Sequence, residues 1–392
     1  MSILLGILLA FIVFLVVVLV HEFGHFSTAR LTKMRVEEFG FGLPPRAFKL
    51  FKDKKGTEYT WNWLPIGGFV RILGEDPTGE DANKVGAFMT RPWAARVLVL
   101  VAGVTMNFFL AFVIFTGLFL SGTAPIAVNP ISSDATHSFF IPSFDEAVDM
   151  GYLTHDGVEI SAISGSIAAV AGIHTGEKVL QVNGSDSVSP EEFIKSVQKN
   201  LPLTLLLEHS GATRTLSITP VDGKIGVRVG YHGLDIDKTY VRELGLTDAI
   251  VAGGRETYAS SMLTFSFLGK LVHGIFAPDT ATEREEAKNM LSGPIGVGAT
   301  FVGLVEIAAP LSLILIVTAL ISINLGVVNL LPIPALDGGR IITTTLYSII
   351  VRFFHRGKAR FLQVEKYFHA LGFLLLLLLT VYVAGVDIAR FF

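Results

Sequence analysis

Of the chain's 392 residues, 51% are hydrophobic and only 17% charged, and the mean hydropathy is +0.58; this is too apolar for an ordinary soluble domain and marks a membrane protein with a soluble part. A net charge of -3 and the lack of any basic run exclude a nucleic-acid footprint. With no cysteine there are no disulfides or thiolate ligands, so any metal must be held by His, Asp or Glu.

The chain opens on an uncharged apolar run, Ile3 to Val20, long enough to enter a bilayer. It has no basic leader and no small-x-small cleavage pattern, so it reads as a retained span and not as a secretory signal. It runs straight into His21-Glu22-Phe23-Gly24-His25. On a helix, imidazoles at i and i+4 share one face and can grip one zinc, with the intervening glutamate as general base. The motif can also arise by chance in a membrane-interface helix. Ionisable groups within a membrane segment are costly, however, and a metal is the partner that offsets three of them at once.

In the loop that follows, Arg46 to Phe51 and Thr57 to Leu64 flank Asp53-Lys54-Lys55-Gly56, a hairpin turn. Tyr59, Trp61 and Trp63 alternate with Glu58, Thr60 and Asn62, which gives one aromatic and one polar face and suits a sheet at a membrane interface. Gly67-Gly68-Phe69-Val70 reads either as a tight backbone approach or as a simple turn. Val97 to Leu120 is the second span. Leu246 to Phe276, with Arg255, Glu256 and Lys270, reads as an amphipathic helix or helix pair, and Pro278 to Asn289 as a solvated linker or helix turn. Ile307 to Leu336 is charge-free, and Pro332 and Pro334 predict a helix that breaks before it leaves the membrane. A fourth span, from about Ala370 to Val386, contains the leucine run 374–379. The ten histidines include His174, His209, His232, His355 and His369, which lack ligand spacing and read as surface or loop residues.

Lys and Arg crowd the loop between spans one and two and the loop before span four, so both face the cytoplasm and the long segment 121–306 lies outside. A catalytic zinc needs a third protein ligand and an open fourth position. Span three runs inward on this topology, so Asp337 of Asn329-Leu-Leu-Pro332-Ile-Pro334-Ala-Leu-Asp337-Gly338-Gly339 reaches the side of His21 and His25. Alone, Asp337 would be read as part of a turn where the chain leaves the membrane.

With HEFGH in span one, NLLPIPALDGG in span three, Gly293-Pro294-Ile295-Gly296 ahead of it and the stretch Ser164 to Gly184 between, the chain resembles the site-2 protease family of intramembrane zinc metalloproteases, in its bacterial PDZ-containing form. In the PDZ-like stretch Ile173 and Glu177 stand where the pattern has Leu and Asp. Ser189-Pro190-Glu191-Glu192 starts a helix, and strands at 203–207, 213–219 and 226–230 follow. The resemblance implies zinc as cofactor, His21, His25 and Asp337 as its ligands, and Glu22 as the catalytic acid/base. Asn329, Pro332 and Pro334 would position substrate, with Asn329 donating to the developing oxyanion. Asn324 stands between that role and a helix–helix contact.

The implied fold class is a polytopic α-helical membrane protein of four transmembrane helices, with a membrane-associated β-hairpin and one extracytoplasmic α/β PDZ-like domain. The expected divisions are 1–30 (first span), 31–92 (hairpin loop), 93–121 (second span), 122–235 (PDZ-like domain), 236–306 (amphipathic connector), 307–340 (third span), 341–369 (cytoplasmic helix or loop) and 370–392 (fourth span). The resemblance further implies a bacterial inner-membrane enzyme with its active site toward the cytoplasm. Its substrates would be single-pass membrane proteins, such as anti-sigma factors or remnant signal peptides, trimmed beforehand by an upstream site-1 protease. The partners are then protein substrates and the lipid bilayer, with no nucleic acid. The other reading is a non-catalytic membrane PDZ scaffold that binds peptide C-termini. An intact Glu22 beside intact ligands argues against it.

Overall fold

A computed structural model describes residues 2–75, 80–128, 137–186, 189–278, 284, 293–353 and 358–391. In chain order the elements are α1 (Ser2–Leu31), β1 (Val36–Lys52), β2 (Glu58–Ile72), α2 (Trp93–Ser121), α3 (Phe144–Asp149), β3 (Leu153–Thr154), β4 (Gly157–Ala162), α4 (Ile167–Val170), β5 (Glu177–Val182), β6 (Ser185–Asp186), α5 (Pro190–Gln198), β7 (Leu203–His209), β8 (Ala212–Ile218), β9 (Val227–His232), β10 (Asp235–Ile236), α6 (Leu246–Phe276), α7 (Pro294–Glu306), α8 (Leu311–Leu330), α9 (Asp337–Phe353) and α10 (Lys358–Phe391). They form two compact units, one of Met1–Ile126, Ser138–Phe140 and Arg242–Phe392, the other of Ala127–His137 and Ile141–Val241.

Four helices of the first unit are long and apolar enough to cross a membrane: Ser2–Leu31, Trp93–Ser121, Leu311–Leu330 and Gln363–Ala389. Two boundaries expected from sequence shift. The third span ends at Leu330, and the chain turns through the prolines before α9 restarts at Asp337, so Asp337 opens a new helix and does not close the old one. The expected division at 369/370 falls inside the single 34-residue helix α10, because no Gly-Pro signal interrupts it. His355 and most of the linker after Pro278 lie outside the described residues.

Small residues set the helix contacts of this unit. A Cβ at Gly6 would come within 2.5 Å of Val302 on α7, and one at Gly253 within 2.3 Å of the Thr116 hydroxyl, so α1–α7 and α2–α6 pack backbone to backbone. Asn324 serves the helix–helix role: its Oδ1 accepts from Thr264 Oγ1 of α6 at 2.8 Å. Glu256 on the same α6 is 2% exposed, and it accepts from Ser138 Oγ and the Phe139 amide, both at 2.6 Å. Burial pushes its carboxyl up from the ordinary range, against those hydrogen bonds.

Gly293-Pro294-Ile295-Gly296 acquires a physical reason here. Gly293 caps α7 without a side chain of its own, and Asp387, fully buried on α10, supplies the missing acceptor: Oδ2 takes the amides of Gly293 and Gly296 at 2.9 and 2.8 Å. A Cβ at Gly293 would come within 2.9 Å of that oxygen. Asp387→Ala is expected to destabilise the protein by about 1–3 kcal/mol, read as a lower Tm in detergent micelles, while Asp387→Asn keeps an acceptor and loses less. Equal losses in the two variants would refute the cap.

β1 and β2 form more than the simple hairpin expected. Residues 36–41 of β1 pair with 68–72 on one side and with 58–61 on the other, while 46–52 close the far side of 58–62. The folded-over pair thus makes a four-segment mixed sheet, in which 38–41 and 58–61 run side by side in the same direction and the two outer pairings are antiparallel; its 68–72 segment is an edge, with no further strand beside it among the described residues. Both faces of the sheet hold buried residues: on the aromatic face Phe39 packs against Phe26 of α1 with ring centroids 5.3 Å apart, and the polar face is enclosed as well. Thr60 and Asn62 are 0% and 1% exposed, whereas Trp63 is 71% exposed. Thr60 donates to Glu38, which also pairs with Arg46 at 2.8 Å and Arg71 at 2.6 Å. Arg30 at the end of α1 ties down the turn through Asp53 and Thr57; with the Thr57 and Lys55 amides it outweighs burial and holds the Asp53 carboxyl below its usual range.

The second unit is a small α/β domain with strand order β8-β7-β5-β4-β9, β6 on β5 and a separate β3–β10 pair. The expected helix at 190 is α5, capped by Ser189, and the hairpin about Ser210-Gly211 joins β7 to β8. Glu177 is fully buried and meets Arg214 Nη2 at 2.7 and 2.8 Å, so the residue that departs from the pattern gains an ion-pair partner that reaches in from the surface. His174 and His209 lie ring to ring at 5.7 Å, and His232 pairs with Asp156 at 2.6 Å. His232 and Lys178 together hold the Asp156 carboxyl below its usual range.

Candidate metal centre

α1 presents His21 and His25 on one face because they are one helical turn apart, and what lies opposite is glycine. A Cβ at Gly103 of α2 would sit 2.4 Å from His25 Nε2 and 2.8 Å from His21 Cε1, and one at Gly24 would fall 2.3 Å from the Ala102 carbonyl oxygen. The two helices therefore touch where the imidazoles need room. Asp337 arrives from the first turn of α9, after Ala335 in a left-handed conformation at φ 74°. That conformation costs a residue with a Cβ about 1–3 kcal/mol.

The three side chains meet. His21 Nε2 and His25 Nε2 are 3.1 Å apart, and Asp337 Oδ2 lies 3.1 Å from the first and 3.3 Å from the second. Zinc bonds of about 2.0–2.2 Å place neighbouring tetrahedral ligands about 3.3–3.5 Å apart, so the triangle matches one face of such a site. Asp337 Oδ2 is buried and makes no hydrogen bond despite these distances. An acceptor so placed is poised for a cation, and the donor set of two neutral nitrogens and one carboxylate suits zinc.

The surroundings fix the rings. His25 Nδ1 donates to the Val99 carbonyl at 2.8 Å, which leaves the Nε2 lone pair facing the centre. Ligation through Nε2 of His21 requires its proton on Nδ1, and hence an acceptor there. Asn107 of α2, fully buried, sets its Nδ2 3.2 Å from that nitrogen while its own Oδ1 has no partner. A half-turn of the amide, whose two ends are not distinguished by shape, gives both groups their partner. Asn107 and Gly103 carry no role in the sequence pattern beyond membership of the second span; a polar residue within an apolar span is the signal that points to Asn107.

Glu22 and Asn329 line the same cavity of about 290 Å³ as the three candidate ligands, together with Val70, Glu75 and Arg340. Glu75 and Arg340 pair at 2.6 Å. The edge segment of β2 closes one wall. Val70 donates its backbone amide to Glu22, and a Cβ at Gly68 would come within 3.4 Å of Glu22 Cγ and 3.2 Å of the Gly40 carbonyl oxygen. The two readings of the glycine pair both apply: Gly67 turns at φ 84° and Gly68 makes the close approach. Pro332 is exposed and Pro334 packs against Gly372, so neither proline lines the cavity; their place is in the turn that delivers Asp337.

A helical membrane unit carrying HExxH and a distant carboxylate at ligand distance defines the class of a membrane metalloprotease. The chain belongs to peptidase family M50, whose model matches residues 9–379. Over 97% of its length it is 30% identical to a "Putative zinc metalloprotease" of Clostridium perfringens and 28% identical to a "Probable protease eep" of Enterococcus faecalis, each covered to 98%. It is also 27% identical to a "Regulator of sigma-E protease RseP" of Salmonella typhimurium, over 95% of this chain and 96% of that one. The protein is thus a zinc metalloendopeptidase of the site-2 protease type, and zinc is its cofactor.

Proposed function

We propose that the protein cuts peptide bonds within the transmembrane segments of single-pass membrane proteins, using His21, His25 and Asp337 as zinc ligands and Glu22 as general base and acid. The observation that carries this reading is the ligand triangle beside Glu22, on a helix whose own length is apolar enough to span. Bound zinc supplies a Lewis acid that acidifies water and polarises the scissile carbonyl. Glu22 takes the proton of the attacking water and returns it to the leaving amine. Asn329, in the cavity wall, donates its amide to the oxygen where negative charge develops.

A helical substrate hides its carbonyls in i to i−4 hydrogen bonds, so it must be unwound and held extended. The unpaired edge at 68–72 runs past Glu22 and can hold it by strand addition. The density of Lys and Arg in loops 31–92 and 341–369 supports a cytoplasmic active site in a bacterial inner membrane, with the second unit outside as a PDZ-like module that binds or filters substrates trimmed by an upstream protease. Anti-sigma factors are fitting substrates, since a relative is named for regulating sigma-E.

The test is co-reconstitution with a single-pass substrate in vesicles and mass-spectrometric mapping of the products. Cleavage inside the apolar segment, abolished by a chelator and restored by zinc, is the expected result. Cuts confined to residues outside that segment would overturn the intramembrane assignment.

A further inference from the structure

The last span carries a polar residue that the chemistry above does not use. His369 sits on α10, and its Nδ1 accepts a hydrogen bond from the backbone amide of Ala335 at 2.9 Å. Its Nε2 lies 3.3 Å from Thr343 Oγ1, whose own hydroxyl donates to the Arg340 carbonyl at 3.2 Å. Thr343 therefore has a lone pair free for an Nε2–H, and His369 is fixed as the tautomer whose Nδ1 accepts. The sequence alone gives His369 as a surface or loop residue; the structure places it against the strained residue two positions before Asp337.

One turn further along α10, Gly372 meets the same turn: a Cβ there would lie 2.2 Å from Pro334 Cβ and 2.7 Å from the Pro334 carbonyl oxygen. From the inside, a Cβ at Gly338 would strike the Leu330 carbonyl oxygen at 2.3 Å, and one at Gly339 the Ile333 carbonyl oxygen at 2.2 Å. The turn is thus pressed between its own helix start and α10, with His369 supplying the hydrogen bond that keeps Ala335 at positive φ.

We propose that His369 is a positioning residue of the metal centre: with Gly372 it makes the fourth span a clamp on the Pro334–Leu336 turn, holding Asp337 in line with the two imidazoles. The inference rests on Asp337 as a zinc ligand. Without the clamp the chain on the ligand's N-terminal side relaxes toward ordinary φ, and Asp337 swings from its corner of the triangle.

Zinc affinity of the full-length protein in detergent micelles, measured by competition with a chromophoric chelator, tests this independently of turnover. His369→Ala is expected to weaken zinc about 10–100-fold, as loss of a group that orients a ligand does. His369→Asn places an amide oxygen where Nδ1 was and should hold zinc within about threefold of wild type, whereas His369→Gln places it where Nε2 was and should resemble Ala. A merely structural role would not separate Asn from Gln. Equal affinities for those two variants, or wild-type affinity in His369→Ala, would overturn the clamp; should the alanine variant not fold, the Asn and Gln pair still decides. Asp337→Ala serves as the control: if it keeps wild-type affinity, the ligand assignment itself is wrong, and if it loses zinc while the His369 variants do not, only the clamp is.

Discussion

Glu22→Gln is expected to bind zinc as the wild type does and to cleave a transmembrane substrate about 10²–10⁴-fold more slowly. The substitution removes one proton acceptor and little else. Glutamine has the volume of glutamate, and its amide oxygen can still accept from the Val70 amide, so the wall of the cavity stays in place. The ligand triangle of His21, His25 and Asp337 does not include Glu22, so the metal should remain. A loss of rate with metal content unchanged is the signature of a group that acts only on the reacting proton. Zinc analysis beside a cleavage assay separates the outcomes: rates within tenfold of wild type would remove Glu22 from the chemistry, and loss of zinc would make it a ligand or a structural support. The same result bears on the scaffold alternative, because a peptide-binding scaffold has no cleavage to lose.

The parts of this site that repeat along one helix were legible in the sequence. HEFGH states its own geometry, since i and i+4 spacing brings two imidazoles to one face whatever surrounds them. The apolar stretch 97–120 lies within α2, which begins after Pro92 and ends at Gly122, where the backbone turns at φ 82°. The turn at Asp53-Lys54-Lys55-Gly56 carries its own chemistry and was equally readable. The number of crossings before Asp337 leads to the expectation that it lies on the side of His21 and His25, and the structure brings its carboxylate within 3.1 and 3.3 Å of their ring nitrogens.

What escaped lies between helices. Asn107, Gly103, His369 and Asp387 each interrupt or close an apolar stretch, and the pattern says only that a polar group in a span needs a partner, not which helix brings it. Their partners are 86, 34 and 91 positions away for Asn107, His369 and the Gly296 end of the Asp387 cap, and no local periodicity encodes such distances. The sheet shows a different limit. Alternation of Tyr59, Trp61 and Trp63 with Thr60 and Asn62 is plain in the sequence, but not that Thr60 and Asn62 are buried at 0% and 1% exposure. Glu38 is buried on that side because Thr60 and the guanidiniums of the solvent-accessible Arg46 and Arg71 all reach its carboxylate, a set of partners that the alternation does not name. The fold-back that leaves 68–72 as an edge depends on the glycines at 67–68, whose tight approach the sequence could not tell from a turn.

Asp337→Ala is expected to lower zinc affinity about 10²–10³-fold, if the roughly 10–16 kcal/mol of a tightly held zinc is shared among four ligands at about 1.4 kcal/mol per tenfold. Because Asp337 is brought to α1 from the far end of the chain, the metal should also act as a cross-link between α1 and the start of α9. A ligand that binds only the folded protein stabilises it by RT ln(1 + [L]/Kd), about 4 kcal/mol when present at a thousand times Kd. Stripping wild type with a chelator should therefore lower its Tm by several degrees and restoring zinc should return it, whereas Asp337→Ala should start low and respond little to either treatment. The comparison distinguishes a lost ligand from a damaged fold, because a fold defect would lower Tm in the variant and leave its zinc response intact. An undiminished zinc response in Asp337→Ala would mean that the carboxylate lying 3.1 and 3.3 Å from the two imidazole nitrogens contributes nothing to holding the ion.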